Sequence, residues 1–124
     1  MINAGGNVLA GDKYNGDYYK IGVQDPSKNG ISYVINTTNV SVVTSGGYER
    51  NYVYNGITYH HIISPITLFP TSYMESVTVV TPSSAMAVSL AYYATTYAFS
   101  IKRRAWMFDV AVIVAVVMGV MMNF

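Results

Sequence analysis

Between Asn51 and Ile101 the chain carries a single charged residue, Glu75. A 51-residue span with one charge is difficult to keep soluble as a free surface, so it must be covered. The whole chain is 10% charged and 52% hydrophobic over 124 residues, against about 25% charged in an ordinary soluble domain. Eight charges sit in residues 1 to 50 and cancel: Asp12, Lys13, Asp17, Lys20, Asp25, Lys28, Glu49 and Arg50. The other charges are Lys102, Arg103, Arg104 and Asp109. The covering surface is expected to be other subunits, lipid, or both.

The same counts exclude several function classes. Seven Lys and Arg against six Asp and Glu leave a net charge of +1, with no basic field for nucleic acid. Without cysteine there is no disulfide framework, no thiolate zinc site and no cysteine nucleophile. Few carboxylates and two histidines make a metal site unexpected. His60 and His61 are adjacent on a predicted strand, so their side chains point to opposite faces. Gly5-Gly6 and Gly46-Gly47 lack the spacing of a phosphate loop, and no Gly-x-Ser-x-Gly is present. No catalytic constellation and no cofactor site is read here. The start, MINAGGNVLAG, does not read as a signal peptide.

Residues 1–16, rich in Gly and Asn, read as an extended arm, and residues 17–80 read as a β domain. Its clearest signal is Asn55-Gly56 between Tyr48–Tyr54 and Ile57–Ile63. A two-residue type I′ turn needs positive φ at both central residues, which Asn-Gly accepts. Turn signals every 8 to 12 residues predict a small antiparallel sandwich or barrel. At Thr81-Pro82 the pattern changes, with Thr as a candidate N-cap and Pro as first helical residue. Residues 82–124 are expected to form one long apolar helix, the alternative being a helical hairpin folded at 102–104. The predicted fold class is therefore α+β.

Residues 105–124 match the hydrocarbon thickness of a bilayer and read as a membrane-spanning or bundle-core segment. Lys102, Arg103, Arg104, Trp106 and Asp109 would lie at the membrane interface. Ala111, Ala115 and Gly119, four apart, form a small-residue stripe suited to close helix packing, and Ala87, Ala91, Thr95 and Ala98 a looser one. Tyr52, Tyr54 and Tyr59 mark one hairpin face as a candidate surface contact. Asn36 and Asn39 begin glycosylation acceptor triplets.

In composition, the weakly charged Tyr/Asn/Val-rich β segment Asp17–Val80 and the apolar Ala105–Phe124 resemble small structural virion proteins of archaeal viruses, including the spindle-shaped viruses. The resemblance implies a non-enzymatic capsid or tail subunit, located in a virion or membrane. Its partners would be copies of itself, other subunits of the assembly and lipid. The alternatives are a membrane-anchored adhesin and, behind it, a pore-forming protein.

Overall fold

The computed structural model describes residues 1–27, 29–72, 74–97 and 110–113, with Tyr97 and the last four described by backbone only. Nine strands and one helix are formed: β1 Ile2–Ala4, β2 Asn7–Ala10, β3 Tyr19–Gln24, β4 Ile31–Thr37, β5 Val40–Gly46, β6 Asn51–Tyr54, β7 Ile57–His60, β8 Ser76–Thr81, α1 Ser84–Tyr97 and β9 Val110–Ile113.

The centre is a five-stranded sheet in the order β1-β2-β5-β8-β9. Its middle strands are the β-branched runs VSVVTSG and SVTVVT, paired antiparallel from Ser41↔Thr81 to Gly46↔Ser76. Such runs suit a strand packed on both faces, where branched side chains fill the pleat. Within residues 1–16, β1 and β2 pair through a tight turn at Gly5 (φ 61) and Gly6 (φ 94). Positive φ at both central residues matches the twist of a hairpin.

Each face of this sheet is covered. On one side Ala87, Ala91 and Ala94 of α1 lie on Val43, Val77 and Val79. Their spacing puts all three on one helix face, and their small size brings the helix close to the sheet. Val77 and Val79 are fully buried, each contributing roughly 1.5–3 kcal/mol from transfer out of water. On the other side the β3–β4 ribbon places Ile21 against Ala10 and Val42. The result is three layers: helix, five-stranded sheet, two-stranded ribbon.

The β6–β7 hairpin forms a separate two-stranded sheet, with Asn55 at φ 48 and Gly56 at φ 76 in its turn. Its register pairs Asn51↔His60, Tyr52↔Tyr59, Val53↔Thr58 and Tyr54↔Ile57. Because side chains alternate, Asn51, Val53, Thr58 and His60 share one face and the three tyrosines share the other with Ile57.

Two expectations are corrected. The chain does not close into a sandwich or barrel followed by a long apolar helix. Among the described residues it is mostly β, with one helix, Ser84–Tyr97, and Val110–Ile113 forms a strand running parallel to β8. An apolar run cannot by itself distinguish strand from helix. Here Val110, Val112 and Ile113 are β-branched, and the open edge of β8 offers their backbone a ladder. Among the described residues no helix is long and apolar enough to cross a membrane. The small-residue stripe at Ala87 and Ala91 meets the chain's own sheet rather than another helix. The helix cap also shifts. Ser83 Oγ accepts the Met86 N–H at 3.4 Å, whereas Thr81 Oγ accepts the Ser83 N–H at 3.3 Å in the turn before the helix.

Candidate functional site

At the end of β5 the chain passes through Gly46-Gly47 and turns into the hairpin, and two clefts open on either side of this crossing. The larger, about 700 Å³, runs from the β1–β2 turn along β5 to Tyr48, Glu49, Arg50 and His61. The smaller, about 480 Å³, lies between Tyr48, Asn51, Thr58, His60, Thr71 and Glu75. Tyr48 is their common wall.

The crossing is tight because both glycines are overlaid by rings. A Cβ on Gly46 would lie 2.4 Å from Tyr48 Cε1, and one on Gly47 would lie 2.5 Å from His60 Cδ2. Neither distance is compatible with non-bonded carbon atoms. Asn51 Nδ2 donates to the Gly47 carbonyl at 2.7 Å, and the Gly47 N–H donates to the Glu75 carbonyl at 3.2 Å. These bonds hold the crossing against β8.

The two histidines have different duties. The Ile62 N–H donates to His60 Nδ1 at 3.3 Å, which leaves Nε2 carrying the proton that it donates to the Thr71 carbonyl at 2.8 Å. Both ring nitrogens of His60 are therefore engaged, and the ring is a structural strut. His61 is exposed and lines the larger cleft with Arg50, Glu49 and Tyr48. Burial, and then the neighbouring Glu49 carboxylate, push the Tyr48 phenol above its ordinary range. At the far end of the larger cleft, Asn7 is locked to the first residue of α1. Its Nδ2 donates to Ser84 Oγ at 2.7 Å, and that hydroxyl donates back to Asn7 Oδ1 at 2.9 Å. The lining thus offers the Arg50 guanidinium and the His61 imidazole beside the Glu49 carboxylate, with amides from Asn3, Asn7 and Gln24 and hydroxyls from Thr44, Ser45 and Tyr48, a set suited to a polar, hydrogen-bonding ligand whose anionic part would face Arg50. Among the described residues no three His, Asp or Glu side chains converge as metal ligands.

Of the residues singled out from sequence, Tyr52 and Tyr54 are exposed on the hairpin, and Tyr52 stacks on Tyr59 with ring centroids 5.3 Å apart. They face away from Asn51, Thr58 and His60, which line the smaller cleft. Asn36 is on β4, and Asn39, at φ 55, donates from Nδ2 to Asp12 Oδ2 at 3.2 Å. Ala111 is on β9. Lys102, Arg103, Arg104, Trp106, Asp109, Ala115 and Gly119 lie outside the described residues. Sequence reading did not assemble Asn7, Tyr48, Arg50 and His61. One signal for part of this group was available: counting outward from the Asn55-Gly56 turn places Asn51 opposite His60, which brings Tyr48–Arg50 near His60-His61.

The profile of the ApbE family matches residues 1–108. The FAD:protein FMN transferase of Treponema pallidum (strain Nichols) is 38% identical over 104 residues, covering 73% of this chain and 28% of that protein. That of Rhodobacter capsulatus is 30% identical over 88 residues, covering 70% of this chain and 17% of the relative. The crystal structure of the ApbE protein of Thermotoga maritima superposes with a TM-score of 0.75 at 34% identity, covering 82% of this chain and 33% of that one. The chain thus spans less than a third of the curated relatives' length.

These findings overturn the virion reading. The resemblance to archaeal virus proteins rested on average composition, which does not distinguish residues buried against the chain's own sheet from residues buried in lipid. Relatives named as transferases replace the expectation of a non-enzymatic structural subunit, its adhesin and pore alternatives, its lipid and subunit partners, and its place in a virion or membrane. Part of the nearly uncharged span after Asn51 is buried within the chain's own helix and sheet or lines the smaller cleft, while Tyr52, Ile57, Ile66 and Phe69 are exposed. With the profile, the relatives and the superposed structure in agreement, the chain belongs to the ApbE family.

Proposed function

We propose that this chain contributes the flavin-nucleotide site of a transferase that moves FMN from FAD to a protein. The observation that carries the reading is the cleft of about 700 Å³ with Arg50 and His61 in its lining. Its size falls within the roughly 300–1,000 Å³ of small-molecule sites. FAD is a dinucleotide with a diphosphate at its middle. The Arg50 guanidinium supplies the fixed positive charge that a diphosphate requires, in a geometry suited to bidentate contact. The paired Asn7 and Ser84 hold the far end of the cleft rigid.

Transfer of FMN with its phosphate means displacement at phosphorus. An acceptor hydroxyl oxygen forms a new bond to the phosphorus of the FMN half. The bond from that phosphorus to the bridging oxygen breaks, and AMP leaves with the electron pair. The hydroxyl proton passes to a base, for which His61 is the available imidazole, since both nitrogens of His60 are engaged. Catalysis of this kind depends mainly on positioning and charge stabilisation.

Binding is the first readout, since the matched region is under a third of the relatives' length. FAD is titrated into the full chain while flavin fluorescence is followed. Arg50→Ala is expected to weaken binding by about 10- to 100-fold, the equivalent of one charge-assisted hydrogen-bond set. Unchanged affinity in R50A, or binding by neither protein, would overturn the reading.

A further inference from the structure

A transfer between two substrates needs two sites within reach of one another, and the molecule has two clefts that share a wall. We infer that the smaller cleft, about 480 Å³ between the hairpin and the Thr71–Glu75 segment, receives the acceptor polypeptide. This rests on the flavin-transferase reading and adds to it where the second substrate lies and what chemistry selects it.

The two linings differ in the way that donor and acceptor differ. The larger cleft holds Arg50 and His61 beside Glu49. In the smaller one Glu75 is the single Asp, Glu, Lys or Arg among the described lining residues, and both ring nitrogens of His60 are engaged. A carboxylate with no cation among the described lining residues repels an anionic diphosphate. The remaining polar groups are hydroxyls and an amide, from Ser27, Thr58, Thr71, Ser72 and Asn51, with Met74 as an apolar wall. That lining fits a neutral, hydrogen-bonding backbone with small side chains.

The hairpin register explains why this face is polar. Asn51, Thr58 and His60 all project to one side of β6–β7, and the tyrosines project to the other. The clefts meet at Gly46-Gly47, where the Tyr48 ring lies over Gly46 and the His60 ring over Gly47, and Tyr48 lines both. A hydroxyl presented from the smaller cleft reaches the phosphorus past Tyr48, and its proton leaves toward His61 on the donor side. Bond making and breaking are those given above, with the acceptor hydroxyl as nucleophile and AMP as leaving group.

The test is amide chemical-shift mapping on the ¹⁵N-labelled full chain. One arm titrates the blocked pentapeptide Ala-Ala-Ser-Ala-Ala, the second FAD, and the third both together. The peptide is expected to shift amides at Asn51, Thr58, Ser72 and Glu75, FAD those at Asn7, Val42 and Thr44, and the two sets to be additive. Thr58→Trp and Ser72→Trp fill the smaller cleft from two directions and are each expected to weaken peptide binding at least tenfold, with spectral dispersion reporting the fold. Peptide shifts that fall on Asn7 and Val42 and are displaced by FAD would overturn the proposal. So would FAD shifts without peptide shifts, or peptide binding unchanged in both variants. Peptide shifts at Thr58 without any FAD shifts would instead remove the flavin-site reading and leave the peptide site standing.

Discussion

Gly47→Ala tests the crossing on which both clefts depend. The added Cβ would stand 2.5 Å from His60 Cδ2, 2.8 Å from Cγ and 2.9 Å from Nε2, whereas carbon atoms in contact rest about 3.5–4.0 Å apart. The ring must move by about 1 Å, and it is short and held at both nitrogens. Moving it sacrifices the 2.8 Å bond to the Thr71 carbonyl and the 3.3 Å bond from the Ile62 N–H. Two neutral hydrogen bonds at a half-buried site contribute about 1–2 kcal/mol together. Overpacking costs about 1–3 kcal/mol when the neighbour yields only in part. The expected loss is about 2–5 kcal/mol, read as a lower denaturation midpoint in urea at unchanged m-value. A double-mutant cycle isolates the cause. In a His60→Ala background the same substitution should cost at least about 1 kcal/mol less, since its collision partner is gone. A loss below about 0.5 kcal/mol in G47A, or an equal loss in both backgrounds, would refute the reasoning.

Three further outcomes are expected. Ser76 Oγ is fully buried with no hydrogen-bond partner among the described residues, so Ser76→Ala should stabilise by about 1 kcal/mol in chemical denaturation. Leu68 is exposed and held at φ 58, where a side chain costs about 1–2 kcal/mol, so Leu68→Gly should raise stability by about 0.5–1 kcal/mol after the added unfolded-state entropy. The raised Tyr48 phenol contributes stability that is complete below about pH 10 and lost as pH rises through its higher folded value. Tyr48→Phe should therefore flatten the decline in stability above about pH 10, and an identical decline in wild type and variant would remove burial as the cause.

The legible parts of the fold are those decided within a few residues. Asn55-Gly56 forms its turn because only two backbone angles at each residue are at stake, and both residues tolerate positive φ. Ser76–Thr81 is a strand because its branched side chains prefer extended backbone. Ala-rich residues after Pro82 are helical for the corresponding reason. The misread parts depend on partners distant in sequence. Gly5-Gly6 belongs to a hairpin whose second strand pairs with β5, more than thirty residues away. Val110–Ile113 is a strand because β8 presents a free edge to it. His60 and His61 are equivalent as adjacent letters. One becomes a strut and the other faces a cleft only once Thr71 and Arg50 are in place.

Residue chemistry alone determined that this chain is cysteine-free, nearly neutral, rich in β-forming segments, and singly charged from Asn51 to Ile101. Only the tertiary structure decided which parts of that span are covered: Val77, Val79, Ala87 and Ala91 are buried within the chain, whereas Tyr52, Ile57, Ile66 and Phe69 are exposed. Burial against a sheet of the same chain and burial against lipid or another subunit draw on the same transfer of apolar surface from water. Composition responds to that transfer and is indifferent to the identity of the covering surface. Pairing β5 with β8, laying α1 on one face and closing the Gly46-Gly47 crossing under two rings resolve the ambiguity for the buried part of the span. They do so through long-range contacts that local patterning does not encode.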